Sequence, residues 1–265
     1  MPDFMPHHRG LVGRIGAIGK RISPALARVL TRPSAATAVR YASIYLDVVQ
    51  GKGSGAGWDM RGELKAARAF IHDEHPVIFD VGAHRGVWTQ AMLDAFGQRC
   101  HVYQFEPLEY NVRHLAKKQR ENVTLIAKAV SDSIGTATLY GTAKASSTSS
   151  MYERRESIFE EQTYDATVVG VTTIDATMAE LGLDVVHFVK MDIEGHELAA
   201  LRGALGALRG HRIRALTFEF GSGNINSRTF FHDFWDLLTP LGYAIWRICP
   251  GGALLPVRRY YEDLE

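Results

Sequence analysis

The chain has 265 residues, of which 46% are hydrophobic, and its formal net charge is +1. This apolar content suits one sizeable folded domain with an appendage and excludes a wholly disordered chain. The near-neutral charge argues against nucleic acid as a partner, and two cysteines without zinc-ligand spacing argue against a disulfide framework and a zinc site.

The first 40 residues differ from the rest in charge, because they hold seven Lys and Arg residues against a single acid, Asp3. Apolar side chains recur there at helical spacing, which predicts a basic amphipathic helix: Leu11, Ile15, Ile18 and Ile22. Three readings stay open for this segment: a cap packed on the domain, an interface such as that of a homodimer, or a contact with an anionic membrane. A glycine-rich stretch over 51–57 then predicts a linker. We therefore predict an N-terminal segment over residues 1–60 and a folded domain over 61–265.

The sequence shows no run long enough to span a bilayer and no apolar core followed by a cleavage site for export. We therefore expect a cytoplasmic protein. Its basic segment would bring it to the inner face of the membrane if that segment binds anionic lipid.

From residue 77 onward, short apolar runs alternate with helical patterns. The runs predict strands at Val77–Val81, His101–Phe105, Val123–Val130, Val185–Met191 and Ile213–Phe220. Helices are predicted over Gly86–Phe96, around Val112, Leu115 and Ala116, and along Leu198, Leu201, Leu205 and Leu208. This alternation predicts a mostly parallel sheet with helices on both faces.

Two further features interrupt or end this alternation. Thr136–Tyr140 and Ala166–Thr173 predict an inserted strand pair, and the Ser/Thr-rich run 145–150 between them predicts a loop that a ligand orders. At the end of the chain, Tyr243–Cys249 and Ala253–Val257 flank a Pro-Gly-Gly turn. That pattern predicts a C-terminal antiparallel hairpin.

The first predicted strand runs into a glycine-containing turn, Asp80-Val-Gly-Ala-His-Arg-Gly86, before the first helix. Glycine suits a sharp backbone bend and a close approach of a ligand. Glu106 ends the second strand, 26 residues after Asp80, where a carboxylate can accept hydrogen bonds from a ribose diol. The turn lacks the Gly-x-Gly-x-x-Gly pattern of dinucleotide sites, so a nucleoside without a pyrophosphate fits better. Ser131 and Asp132 close the third strand and could reach an adenine edge or form an ordinary turn.

The fourth predicted parallel strand leads into three acids, Asp192, Glu194 and Glu197. The last two could simply stabilise a helix N-terminus. Asp192 follows an apolar strand and should emerge where open α/β sheets bind ligands, so it is our first candidate for a catalytic base. His196, whose usual pKa is near neutrality, is the second candidate, and Glu194 completes the catalytic set. Glu219 could join Asp192 around a divalent cation, but two acids are few and we do not favour a metal.

Four segments of this sequence resemble the FkbM-type methyltransferases over residues 75–250: Asp80–Gly86, Phe105-Glu-Pro107 with Asn111, Ala129–Asp132, and Lys190-Met-Asp-Ile-Glu-Gly-His-Glu197. One departure is His84, where the family usually has asparagine. The resemblance implies a class I methyltransferase (Rossmann-like) fold, with a mostly parallel seven-stranded sheet and an antiparallel strand near its end. It also implies S-adenosylmethionine as the methyl donor. We predict a cofactor site built from Asp80, Gly82, Ala83, His84, Gly86, Glu106, Asn111, Ser131, Asp132 and Asp192.

Known acceptors of such enzymes are mostly hydroxyls of sugars, glycolipids and polyketides, so we expect O-methylation in natural-product or glycan biosynthesis. A protein or RNA methyltransferase is one alternative, although RNA would favour a basic surface that only the first 40 residues supply. A non-catalytic binding domain that retained the fold is another, and intact Asp80, Glu106 and Asp192 argue against it.

Overall fold

The computed structural model describes residues 23–52, 60–141, 149–153 and 165–265. The chain divides into two compact units, Met1–Asp47 and Val48–Glu265. In the first unit residues 23–30 are helical (α1), and helix α2 begins at Pro33 and continues to Val49. No residue of α2 is buried. The apolar stripe predicted over 11–22 lies outside the described residues, and no helix among the residues described is long and apolar enough to cross a membrane.

The second unit contains the remaining elements. Its strands are β1 (Val77–Val81), β2 (His101–Phe105), β3 (Val123–Ile126), β4 (Ala129–Val130), β5 (Gly135–Gly141), β6 (Asp165–Thr172), β7 (Val186–Met191), β8 (Ile213–Phe218), β9 (Ile245–Ile248) and β10 (Leu254–Val257). Its helices are α3 (Met60–Phe70), α4 (Val87–Phe96), α5 (Glu109–Ala116), α6 (Ile174–Glu180), α7 (Glu197–Arg202), α8 (Leu205–Arg209), α9 (Gly223–Ser227) and α10 (Phe231–Leu238).

Five strands form a parallel sheet in the order β3-β2-β1-β7-β8. Successive strand residues point to opposite faces, so Ile78 packs with α3 and α4 whereas its neighbour Phe79 packs with α7, α8 and α10. The predicted parallel sheet with helices on both faces is therefore confirmed. The carboxyl ends of β1, β2, β7 and β8 meet along one edge, and Glu106, Asp192 and Glu219 follow directly after three of those strands.

The predicted third strand is broken in two. Lys128 N–H donates to Ile126 O at 2.8 Å in a tight turn, and the chain beyond it, β4, leaves the main sheet. There it joins the insert, whose strands are ordered β4-β6-β5. The segment predicted as one strand, Val123–Val130, therefore contributes a strand to each of two sheets.

The C-terminal hairpin is present, with β9 and β10 paired antiparallel from Ile245↔Val257 to Ile248↔Leu254. In the part of the chain that the structure describes, neither strand pairs with the parallel sheet. The single seven-stranded sheet that the resemblance implies is thus not observed. Instead, β9 and β10 pair with each other, and Pro256 within β10 has no N–H to donate to a further strand.

Candidate functional site

The turn between β1 and α4 is held in a conformation that requires glycine at two positions. Gly82 has φ +84°, and a Cβ built on it would lie 2.0 Å from the backbone oxygen of Asp192. Gly86 has φ +75°, and a Cβ there would come within 2.8 Å of Leu115. His84 has φ +50°, a conformation that histidine and asparagine adopt more readily than most residues. The turn therefore brings backbone, with little side chain, against the loop that follows β7.

Glu106 lies at the tip of β2 and is oriented by three donors. Its Oε2 accepts a hydrogen bond from His84 N–H at 2.8 Å, and its Oε1 accepts from Leu108 N–H at 3.0 Å and from the Asn111 amide at 3.3 Å. Burial raises the pKa of Glu106, while these hydrogen bonds oppose the rise. Each carboxylate oxygen accepts about two hydrogen bonds, so Oε2 has capacity for a further donor. Asn111 is also buried, and its Oδ1 has no hydrogen-bond partner.

A small cavity of about 70 Å³ lies beside this carboxylate. Gly82, His84, Glu106, Asn111 and Asp192 line it, together with Glu194 and His196. Ser149 and Met151 of the insert line it as well. The predicted loop 145–150 is described only from Ser149 onward, so its ordering by a ligand stays a prediction.

Residues 149–153 of the insert, which we call the strap, are attached to the loop after β7. Ser150 Oγ donates to the backbone oxygen of Glu194 at 2.7 Å, and Tyr152 Oη lies 3.0 Å from His196 Nδ1. The other ring nitrogen of His196 lies 2.9 Å from Ser131 Oγ. Desolvation lowers the pKa of His196. Both ring nitrogens therefore have protein partners, and the imidazole links the strap to the end of β4.

Five predicted cofactor residues do not line the small cavity: Asp80, Ala83, Gly86, Ser131 and Asp132. Ser131 is buried next to His196, whose Nε2 its hydroxyl contacts, and Asp132 is exposed and accepts from the hydroxyls of Ser131 and Ser133. Asp80 is completely buried under the glycine turn, where its Oδ2 accepts from the Thr89 hydroxyl at 2.6 Å. The buried Ala83 belongs to the turn itself and donates its N–H to Phe105 O. These residues support the turn and the strap in the structure.

Lys190 connects the turn between β1 and α4 with the loop that follows β7. Its Nζ lies 3.5 Å from Asp80 Oδ1 and 3.3 Å from Asp192 Oδ2, and it donates to Gly82 O at 3.2 Å. Burial disfavours the charged ammonium, but the attraction of Asp192, Asp80 and Glu63 together raises the pKa of Lys190. A lysine inside an apolar strand run is rarely buried without partners, and this was the signal in the sequence that could have pointed to its role.

Asp192 lies where two cavities meet. Its side chain is about half exposed, at 46%, and among the described residues it alone lines both the small cavity and a larger one of about 1300 Å³. The larger cavity extends from Asp192 along β8 to β9 of the hairpin. Because the small cavity with Glu106 lies on one side of Asp192 and the larger cavity on the other, this carboxylate stands at the junction of the two cavities.

Glu63 of α3 is a site residue that sequence reasoning missed. It lines the larger cavity with Lys190 and Asp192. Burial raises the pKa of Glu63; the charge of Lys190 opposes this rise and that of Asp192 adds to it. In the sequence it is one glutamate on a polar helix, more than 120 residues before Lys190 and Asp192, and no local pattern marks it.

The other predicted acids occupy distinct places. Glu194 lines the small cavity and has φ +56°. Glu197 is completely buried, accepts from Ile193 N–H at 2.9 Å, and burial raises its pKa to about 8. Glu219 lines the larger cavity. Over the described ranges no three His, Cys, Asp or Glu side chains are grouped so that they could hold a metal ion.

Comparisons with known proteins show which family this sequence matches. Residues 80–245 match the family model of the methyltransferase FkbM domain, whereas no curated protein matches the chain. A solved structure of a SAM-dependent methyltransferase from Aquifex aeolicus is similar at 14% identity, covering 84% of this chain and 89% of that chain, with a TM-score of 0.35. A likeness this loose carries no argument about this chain. The family match is the stronger finding because it spans well over half of the residues, from the glycine turn to the start of β9.

Proposed function

This chain belongs to the methyltransferase FkbM family, and on that premise we propose that it transfers the methyl group of S-adenosylmethionine to a hydroxyl oxygen of a sugar, glycolipid or other natural product. The observation that carries the proposal is the position of Asp192 between the small cavity, which contains Glu106, and the larger cavity. A donor on one side and an acceptor on the other would meet at this carboxylate.

The residues of the small cavity fit the donor. Glu106 offers acceptor capacity suited to ribose hydroxyls, and Gly82 lines the cavity beside it with backbone alone. Asn111 Oδ1 is a buried acceptor without a partner, which is a costly arrangement unless a ligand satisfies it. Lys190 is outnumbered by Asp80, Asp192 and Glu63, and such an excess of carboxyl groups favours a cationic ligand such as a sulfonium.

The space is smaller than this donor requires. Small-molecule pockets usually measure roughly 300–1,000 Å³, whereas this cavity measures about 70 Å³. Met151 lines it from the insert, and the strap is attached to the site by two side-chain hydrogen bonds. We infer that the strap moves outward when the donor enters.

When bound, S-adenosylmethionine supplies an electrophilic methyl group. Asp192 would orient the acceptor hydroxyl and take up its proton, and Lys190, 3.3 Å away, would fix the carboxylate in place. A positioned base contributes about 10²–10⁴-fold to such a step. His196 is less suited to the same task, because Ser131 and Tyr152 already engage both of its nitrogens.

Isothermal titration with S-adenosylhomocysteine tests the donor site. We expect the wild type to bind and Glu106→Ala to bind at least about ten-fold more weakly, since a hydrogen bond to a charged group is worth roughly 1.5–3 kcal/mol. Glu109→Ala, at an exposed carboxylate on the adjoining helix, is the matched control and should bind normally. Glu106→Gln retains one acceptor oxygen and should fall between the two. Absence of binding by the wild type would contradict the proposed function.

The acceptor is tested by mass spectrometry. The protein is incubated with isotopically labelled S-adenosylmethionine and candidate sugars, glycolipids and polyketides, and the label is located in the products. We expect it on an oxygen. Label on nitrogen, or only on protein or RNA, would contradict the assignment of O-methylation while leaving the donor site intact.

A further inference from the structure

The walls of the larger cavity are mostly apolar and aromatic. Eight Phe, Tyr and Trp side chains line it: Phe70, Phe188, Phe218, Phe220, Phe230, Phe231, Tyr243 and Trp246. Its volume of about 1300 Å³ exceeds the usual upper range of about 1,000 Å³ for small-molecule sites. Aromatic walls of this extent bury an apolar body effectively. A bare monosaccharide would leave most of this surface without a partner.

Charged side chains of both signs line this cavity. Glu63, Asp192 and Glu219 belong to α3 and to the carboxyl ends of β7 and β8, and Lys190 lies among them. Arg247 belongs to β9 of the hairpin, and Glu265 belongs to the C-terminus. Arg214 and Arg228 also line the cavity. A ligand that spans the space would therefore meet carboxylates at the junction with the small cavity and a guanidinium on the hairpin.

Arg247 lines this cavity, and one of its hydrogen-bond donors is buried without a partner. Its Nη1 is buried without a hydrogen-bond partner, while Nη2 donates to Tyr261 Oη at 3.3 Å. Within the described chain Arg247 makes no ion pair. A buried cationic donor without a partner is costly, and an arginine fork is well suited to a carboxylate, sulfate or phosphate group.

We propose that the acceptor is an amphiphile with an apolar body and one anionic group, and that Arg247 is the specificity-determining residue that binds the anionic group. This rests on the proposed function, because it takes the larger cavity as the acceptor space. The apolar body lies against the aromatic walls, and the hydroxyl to be methylated reaches Asp192 at the other end.

Two dyes that share one ring system test the proposal without the natural acceptor. 8-Anilino-1-naphthalenesulfonate carries a sulfonate, and N-phenyl-1-naphthylamine lacks it; both fluoresce when they bind apolar sites. We expect Arg247→Gln to weaken binding of the sulfonate at least ten-fold and to change binding of the uncharged dye less than two-fold. Arg247→Lys keeps the charge and should restore part of the affinity. Arg68→Gln, at an exposed arginine of α3, is the control and should leave both dyes unchanged.

The outcomes separate this proposal from the proposed function. Sulfonate binding that survives Arg247→Gln, or equal weakening of both dyes, would overturn the role of Arg247 even if S-adenosylhomocysteine still binds. Selective loss of the sulfonate with normal S-adenosylhomocysteine binding and an unchanged melting temperature would support it. If the wild type binds the sulfonate through Arg247 but binds no S-adenosylhomocysteine, the result supports an anion site at Arg247 and contradicts its identification as part of an acceptor site.

Discussion

Glu197 provides a quantitative test of the packing under the site. Its side chain is completely buried, one oxygen accepts from Ile193 N–H, the other has no hydrogen-bond partner, and burial raises its pKa to about 8. The folded protein therefore holds a proton on this group that the unfolded chain releases near pH 4.5. Because the folded state binds more protons, the free energy of unfolding should fall as pH rises through this interval.

The expected size follows from the two pKa values. One pKa unit corresponds to about 1.4 kcal/mol, so between pH 5 and pH 9 this single carboxyl should lower the free energy of unfolding by roughly 4 kcal/mol. Glu197→Gln replaces the protonated carboxyl with a neutral group of the same shape that still accepts from Ile193. This variant should match the wild type near pH 5 and be more stable near pH 9.

Urea unfolding at pH 5, 7 and 9, followed by circular dichroism, measures this difference. Glu109→Gln, at an exposed carboxylate of α5, is the control and should follow the wild type at every pH. The reasoning would be refuted if Glu197→Gln and the wild type lost stability in parallel between pH 5 and pH 9, since the buried group would then not be the source of the change.

Three further predictions concern function. Asp192→Asn should keep the fold and S-adenosylhomocysteine binding but lower methyl transfer by ten-fold or more, as expected for a positioned base; full turnover in a folded variant would show that Asp192 is not that base. Tyr152→Phe removes the hydrogen bond to His196 and should speed both association and dissociation of S-adenosylhomocysteine up to about five-fold in stopped-flow measurements. Tyr110→Phe, at an exposed residue, should leave both rates unchanged, and wild-type rates in Tyr152→Phe would argue against an opening strap. Flotation with anionic vesicles discriminates among the three readings of residues 1–40. Salt-sensitive binding that is lost on deleting those residues would support membrane contact, whereas a full chain that stays unbound, with activity or the dimer lost on deletion, would support a cap or an interface.

Local signals in the sequence account for the parts of the site that were predicted. The strand ends at Val81 and Phe105, the glycine turn and the position of Glu106 all depend on residues close together in the chain, so their patterns survive without tertiary information. Asp192 was predicted at the sheet edge because a buried parallel strand must end there. Asp80 was expected to bracket a nucleoside, but the structure buries it under the turn, where Oδ2 accepts from the Thr89 hydroxyl and Oδ1 forms an ion pair with Lys190.

Contacts between distant segments account for what was missed. Glu63 joins the site only because α3 packs beside β8, and Tyr152 reaches His196 across 44 residues. Arg247 lies on a hairpin whose sequence predicts its strands but not the space it borders. The break between β3 and β4 was also invisible, because an apolar run has the same pattern whether it serves one sheet or two.

The single shared residue at the junction of the two cavities has a consequence for evolution and for engineering. Of the described residues only Asp192 borders both spaces, so side chains along β8 and the hairpin can change without altering any contact around Glu106. Selection on residues of the larger cavity then leaves the small cavity largely unaffected. A lineage can therefore acquire new acceptors while its affinity for the methyl donor stays constant. A library that varies Phe220, Phe230, Trp246 and Arg247 alone should therefore yield altered acceptor choice with unchanged S-adenosylhomocysteine affinity.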